Sequence, residues 1–214
     1  MKHMTDVVVQ AGDVELGGTL VIPASARGLV VFVHGSGSSR FSPRNRYVAG
    51  VLNDGGLATL LFDLLTADEN DIDMLTRELR FDIGLLSDRI TATLDWLAGL
   101  ETVSGLPIGL FGSSTGAAAA LFAAAARPEQ VTAVVSRGGR PDLAMEALPR
   151  VVAPTLMLVG GLDYQVIELN HKAADAMQAP CRIEIIEGAT HLFAEPGKLE
   201  QVAARVRDWF LEQL

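Results

Sequence analysis

The chain has 214 residues, enough for one domain, 1–214, with a large buried core. Hydrophobic residues make up 49% of it, yet no apolar run is long and unbroken enough to span a bilayer. A formal net charge of −9 with no basic cluster argues against a nucleic-acid partner, and a single cysteine excludes an internal disulfide and points to a reducing, cytoplasmic setting.

Residues 1–4, Met-Lys-His-Met, read as a cloning remnant before a second start, with no secretory signal behind them, and are set apart from the fold. Val7-Val8-Val9 and residues 14–22 flank a turn at Ala11-Gly12-Asp13 and predict an antiparallel hairpin. Residues 29–33 form a short continuous apolar run, as a strand covered on both faces requires. A helix is expected over 44–54, stopping at Gly55-Gly56, then a buried strand over 57–64. Residues 67–73 (Ala-Asp-Glu-Asn-Asp-Ile-Asp) read as a solvated acidic loop. Ile83, Leu86, Ile90, Leu94 and Leu97 recur at helical spacing within 82–100. Further strands are expected at 108–111, 131–135, 155–159 and 182–186, with helices at 166–177 and 196–214. The segment 136–154 has room for one short helix at most. Such alternation means a mostly parallel sheet with helices on both faces.

Between the strand at 108–111 and an alanine-rich helix stands Gly112-Ser113-Ser114-Thr115-Gly116, a G-x-S-x-G turn. A sharp strand-to-helix turn leaves its middle residue at a strained tip, and glycines flank it because a Cβ there would clash with the neighbouring strand and helix. Ser114 is the candidate nucleophile, beside a helix N-terminus that stabilises negative charge.

A serine nucleophile needs a base, an orienting acid and an oxyanion hole. His3 lies in the set-apart leader, and His171 reads as a solvated residue in mid-helix. His34 and His191 both follow strands, where loops gather at the C-terminal edge of a parallel sheet. His191 is the better base, and His34, with Gly35 and Gly37, belongs to the supporting loop. The acid should lie between serine and histidine in chain order. Asp163, after Gly160-Gly161, fits. Asp142 is the alternative, although an N-cap role explains it equally well. The oxyanion donors are expected to be the N–H groups of Thr115 and Ser36, with Gly37 as a second choice for the latter.

His34-Gly35, Gly112-x-Ser114-x-Gly116, Asp163 and His191, in that order, resemble the α/β-hydrolase superfamily over nearly the whole chain. Residues 45–49 and 56–66 are similar to its small, capless dienelactone-hydrolase-like group. The resemblance implies a three-layer fold with an eight-stranded sheet. It also implies hydrolysis of an ester or related acyl bond of a small molecule, without a cofactor. One departure stands out: dienelactone hydrolases carry cysteine as nucleophile, and this chain carries Ser114. The lone Cys181, at the start of a late strand, reads as a small buried thiol.

Two other readings compete: acyl transfer to an acceptor other than water, peroxide included, and a binding protein that kept the fold. No histidine spacing or Cys/His cluster suggests a metal, and no phosphate-binding glycine pattern suggests a nucleotide. Arg77, Arg80, Arg137 and Arg140 are candidates for binding a substrate carboxylate, with surface solubility as the ordinary alternative. Tyr164, Leu192 and Phe193 are candidate pocket-lining residues.

Overall fold

Residues 2–214 are described in the computed structural model of the chain. Eight strands alternate with six α-helices. They are β1 (Lys2–Ala11), β2 (Val14–Pro23), β3 (Leu29–Val33), α1 (Pro43–Asp54), β4 (Ala58–Phe62), α2 (Ala67–Thr76), α3 (Ile83–Ala98), β5 (Ile108–Ser113), α4 (Thr115–Ala126), β6 (Val131–Arg137), β7 (Thr155–Gly160), α5 (Tyr164–Ala176), β8 (Cys181–Ile186) and α6 (Lys198–Gln213). They form one sheet in the order β1-β2-β4-β3-β5-β6-β7-β8. β1 and β2 pair antiparallel with each other, as do β2 and β4; every other pairing is parallel.

The apolar strands are buried on both faces because helices cover both. On one face, Val48 and Leu52 of α1 and Val206, Trp209 and Phe210 of α6 pack on Val30, Phe32, Phe111 and Val135. On the other, Leu86, Ile90 and Leu94 of α3 and the alanines of α4 pack on Val31, Val33, Leu110 and Val134. Successive strand residues point to opposite faces, so each strand feeds both layers. The short side chains of α4 let that helix lie close against the sheet.

Three expectations are corrected. Residues 2–4 belong to the sheet: Lys2, His3 and Met4 pair with Pro23, Ile22 and Val21. Residues 67–73 are helical, not a loop. Thr66 accepts the Glu69 N–H, and the Glu69 carboxylate accepts the Thr66 N–H, a reciprocal cap at the start of α2. The signal was present as Thr66-x-x-Glu69, obscured by the acidic run. Segment 136–154 holds two short 3-10 turns, Pro141–Ala144 and Leu148–Arg150, in place of one helix.

Candidate active site

Register brings the site together. Val33 pairs with Gly112, Ser113 with Arg137, Arg137 with Leu158, and Gly160 with Ile186. The loops after β3, β5, β6, β7 and β8 therefore leave the sheet along one edge, where open α/β sheets bind ligands.

Ser114 sits at the β5–α4 turn with φ 51° and ψ −123°, a left-handed conformation that side chains other than glycine rarely adopt. Its N–H donates to the Arg137 carbonyl at 3.2 Å, and its own carbonyl accepts the Ala117 and Arg140 N–H groups. These three hydrogen bonds and the close backbone packing at the flanking glycines hold the turn in place. A Cβ on Gly112 would fall on the Ala117 Cα, and one on Gly116 would fall on the Val33 and His34 carbonyl oxygens.

Asp163 and His191 converge on this serine. Gly161 and Leu162 donate backbone N–H groups to Ile186 and Ala189, which ties the β7–α5 turn to the end of β8 and the loop after it, and the Asp163 N–H closes the turn onto the Gly160 carbonyl. Asp163 occupies the N-cap of α5 but makes no capping bond. Its Oδ2 lies 2.7 Å from His191 Nδ1 instead. His191 Nε2 faces Ser114 Oγ at 3.4 Å. Phe193, fully buried at φ 55°, anchors the loop in the core, and Glu195 accepts both the N–H and the hydroxyl of Thr190. Phe193 is thus a packing residue and not a pocket wall. Leu192 does line the pocket, and Tyr164 is 70% exposed.

The loop after β3 is braced by His34. Its Nε2 accepts the Leu64 N–H at 3.1 Å, which leaves Nδ1 to donate to the Gly35 carbonyl at 2.9 Å. Burial pushes its pKa below the ordinary 6.5, so the ring is neutral. Ser38 N–H closes a turn onto the Gly35 carbonyl, with Gly37 at φ +69°. The Ser36 N–H does not face an open site as expected. It donates to the Thr115 hydroxyl at 3.0 Å. Thr115, expected to act through its backbone alone, takes the Ser36 N–H with its hydroxyl here.

The four candidate arginines separate sharply. Arg80 is bound to Asp73 at 2.6 Å. Arg140 makes a two-pronged bond to Asp142 at 2.9 and 2.8 Å, which removes Asp142 as an alternative acid and also explains it without an N-cap. Arg77 is the exposed left-handed cap of α2. Only Arg137 is buried, 8% exposed, in the pocket that holds Ser114 and His191. Surface solubility does not explain that position. Arg44, Asn45, Ser38 and Ser42 line the same pocket of about 230 Å³. Sequence reading assigned none of these four to the site, although Asn45 opens the family-like stretch 45–49 and Ser38 follows Gly37 in the loop after β3. A second cavity of about 410 Å³ shares Gly35, Ser36 and Ser38 with it and extends over Phe41, Leu65 and Arg80, away from the serine.

Cys181 is half-buried, and burial pushes its thiol up to about 11, which leaves it a poor nucleophile. Among the described residues no cluster of three metal-ligating side chains occurs, and no helix is long and apolar enough to cross a membrane.

This arrangement is that of an α/β-hydrolase. The sequence model of the dienelactone hydrolase family matches residues 16–214, and the chain belongs to that family of hydrolases. A crystal structure of dienelactone hydrolase from Anabaena variabilis is 56% identical and superposes with a TM-score of 0.98, over 100% of this chain and 99% of that one. Est1E from Butyrivibrio proteoclasticus shares the fold at 18% identity, TM-score 0.82, over 97% and 98% of the two chains. Proteins of two Mycobacterium tuberculosis strains, bearing the name "Putative phosphoribosyl transferase", are 54% identical over 209 residues. That match takes in 98% of this chain and 46% of theirs, so the chain spans about half the length of these curated relatives.

Proposed function

We propose that the chain hydrolyses a carboxylic ester or related acyl bond through a Ser114–His191–Asp163 triad and an acyl-enzyme. The observation that carries this reading is the His191 ring, held between Asp163 Oδ2 at 2.7 Å and Ser114 Oγ at 3.4 Å. The first contact has the length of a charge-assisted hydrogen bond. The second is long for one, as catalytic contacts without substrate often are.

Ser114 Oγ attacks the acyl carbon while its proton passes to His191 Nε2. Asp163 holds Nδ1–H, and so the correct tautomer, and stabilises the imidazolium. The carbonyl oxygen becomes an oxyanion at the start of α4, where the Thr115 N–H points out of the first helical turn. The second donor comes from residues 36–37. Gly37 N–H makes no hydrogen bond among the described residues, and Ser36 N–H becomes available when the oxyanion displaces the Thr115 hydroxyl. The proton on His191 then goes to the leaving alcohol. Water repeats the attack on the acyl carbon, and the acid departs with Ser114 regenerated.

Serine in place of cysteine at the nucleophile makes dienelactone itself a poor substrate candidate. Acyl transfer to an acceptor other than water is the competing reaction on the same triad, because any nucleophile that reaches the acyl-enzyme can take the place of water. Turnover of p-nitrophenyl esters, with product analysis in the presence of competing alcohols and peroxide, tests the reading. Release of free acid dependent on Ser114 supports it. Exclusive formation of transfer products replaces hydrolysis with transfer, and absence of turnover together with no labelling of Ser114 by an organophosphonate refutes it.

A further inference from the structure

The Ser114 pocket contains more positive charge than ester hydrolysis needs. Arg137 ends β6, beside Ser113 in the ladder, with its guanidinium 5.9 Å from the centre of the Phe111 ring. Its Nε and Nη1 are shut off from solvent and have no hydrogen-bond partner among the described residues. Arg44, in the first turn of the 12-residue helix α1, lines the same pocket, and its Nε is likewise unpartnered. Five other arginines each have a carboxylate at hand: Arg40 with Asp63, Arg80 with Asp73, Arg89 with Glu69, Arg127 with Asp95, and Arg140 with Asp142.

No carboxylate lines the pocket. Burial, with the neighbouring Arg44 charge, lowers the Arg137 pKa to about 10, which still leaves it protonated at neutral pH. In a chain with net charge −9, two adjacent cations without an acid are a local reversal of sign. Such a buried charge is stable only when something anionic completes it. The N-terminus of α1 adds its dipole, and the Ser38 and Ser42 hydroxyls add donors.

We propose that Arg137 and Arg44 form a subsite for a dianionic phosphoryl group carried by the substrate, next to the bond that Ser114 attacks. A carboxylate would neutralise one guanidinium and present two oxygens. A phosphate monoester matches both charges and presents three terminal oxygens to the two forks and the hydroxyls. The position of the scissile bond rests on the ester-hydrolase reading; the anion subsite does not.

Calorimetric titration of the intact protein with inorganic phosphate, and with acetate as the monoanionic control, separates the two. Phosphate is expected to bind wild type and Ser114→Ala alike. Its affinity should fall at least tenfold in Arg44→Gln and in Arg137→Met, with Arg137→Lys intermediate. Acetate should bind at least tenfold more weakly than phosphate. Arg44 is partly exposed, so its variant keeps the test open if Arg137→Met does not fold. Phosphate binding that is absent, unaffected in the arginine variants, or matched by acetate overturns the phosphoryl subsite. Phosphate binding by a wild-type protein that turns over no ester, or whose ester turnover survives Ser114→Ala, overturns the hydrolase reading alone.

Discussion

Asp163 stands at the N-cap of α5 and gives its carboxylate to His191, 2.7 Å away, while the helix goes uncapped by any side chain. An aspartate in that position ordinarily bonds the N–H two or three residues on and contributes to helix stability. Here the helix forgoes that bond and the imidazole receives it. Asp163→Asn should therefore leave the melting temperature within a few degrees of wild type. It should also lower kcat on p-nitrophenyl acetate roughly 10⁴-fold, through the wrong tautomer. Steady-state kinetics and a thermal melt on the same preparation check both halves.

Ser114, the proposed nucleophile, sits at the strand-to-helix turn in a backbone conformation that suits glycine. Ser114→Ala should lower ester turnover by a factor on the order of 10⁶ with the fold retained. Ser114→Gly should be equally inactive but more stable than Ser114→Ala by roughly 1 kcal/mol or more, because glycine relieves the strain. Urea titrations of the two variants decide this. Equal stabilities would mean that the turn stores no strain.

The Ser36 N–H depends on one hydroxyl. Thr115→Val keeps the shape and deletes the acceptor, leaving a partly buried donor unpaired, at an expected cost of about 1–3 kcal/mol. Thr115→Ser should recover most of it. Denaturation midpoints of the three proteins measure the difference.

Gly112 tolerates no Cβ, since Ala117 backbone occupies the space. Gly112→Ala should destabilise by roughly 4 kcal/mol or more, the range in which a backbone clash prevents folding. Soluble yield and circular dichroism report it. A folded, active variant would show that α4 can move away from β5.

His34 should make the protein acid-sensitive. Its folded pKa lies below 6.5, the ordinary value it regains on unfolding, so below 6.5 the unfolded chain takes up a proton that the native ring refuses. Stability should be level with respect to this group above that pH. It should fall as pH drops from 6.5 towards the folded pKa, and protonation of Nε2 there costs the Leu64 N–H its acceptor. His34→Gln should flatten that part of the stability–pH curve, measured by denaturant unfolding between pH 5 and 7.5.

Much of this was legible along the chain. The alternation of apolar runs predicted all eight strands, with β3 placed at its observed bounds. The elbow was legible because its requirements are local: the sharp turn at Ser114 needs a glycine two residues to either side, and all five positions lie in one short run. Asp163 and His191 followed from the rule that loops after parallel strands meet at one edge. The helix at 67–76 was lost to its acidic composition, although Thr66 and Glu69 marked its start.

What only the tertiary structure decided is which groups neutralise or occupy one another. Arg80, Arg137 and Arg140 look alike in sequence. Two are bound to Asp73 and Asp142, and the third is buried without an acid. The Ser36 N–H, 79 residues from Thr115, was an open donor until the fold brought that hydroxyl to it. Periodicity and turn chemistry act between neighbours and can be read from neighbours. Pairing of charges and of single donors depends on distances of a few ångströms between residues far apart in the chain, and these exist only after the sheet has assembled.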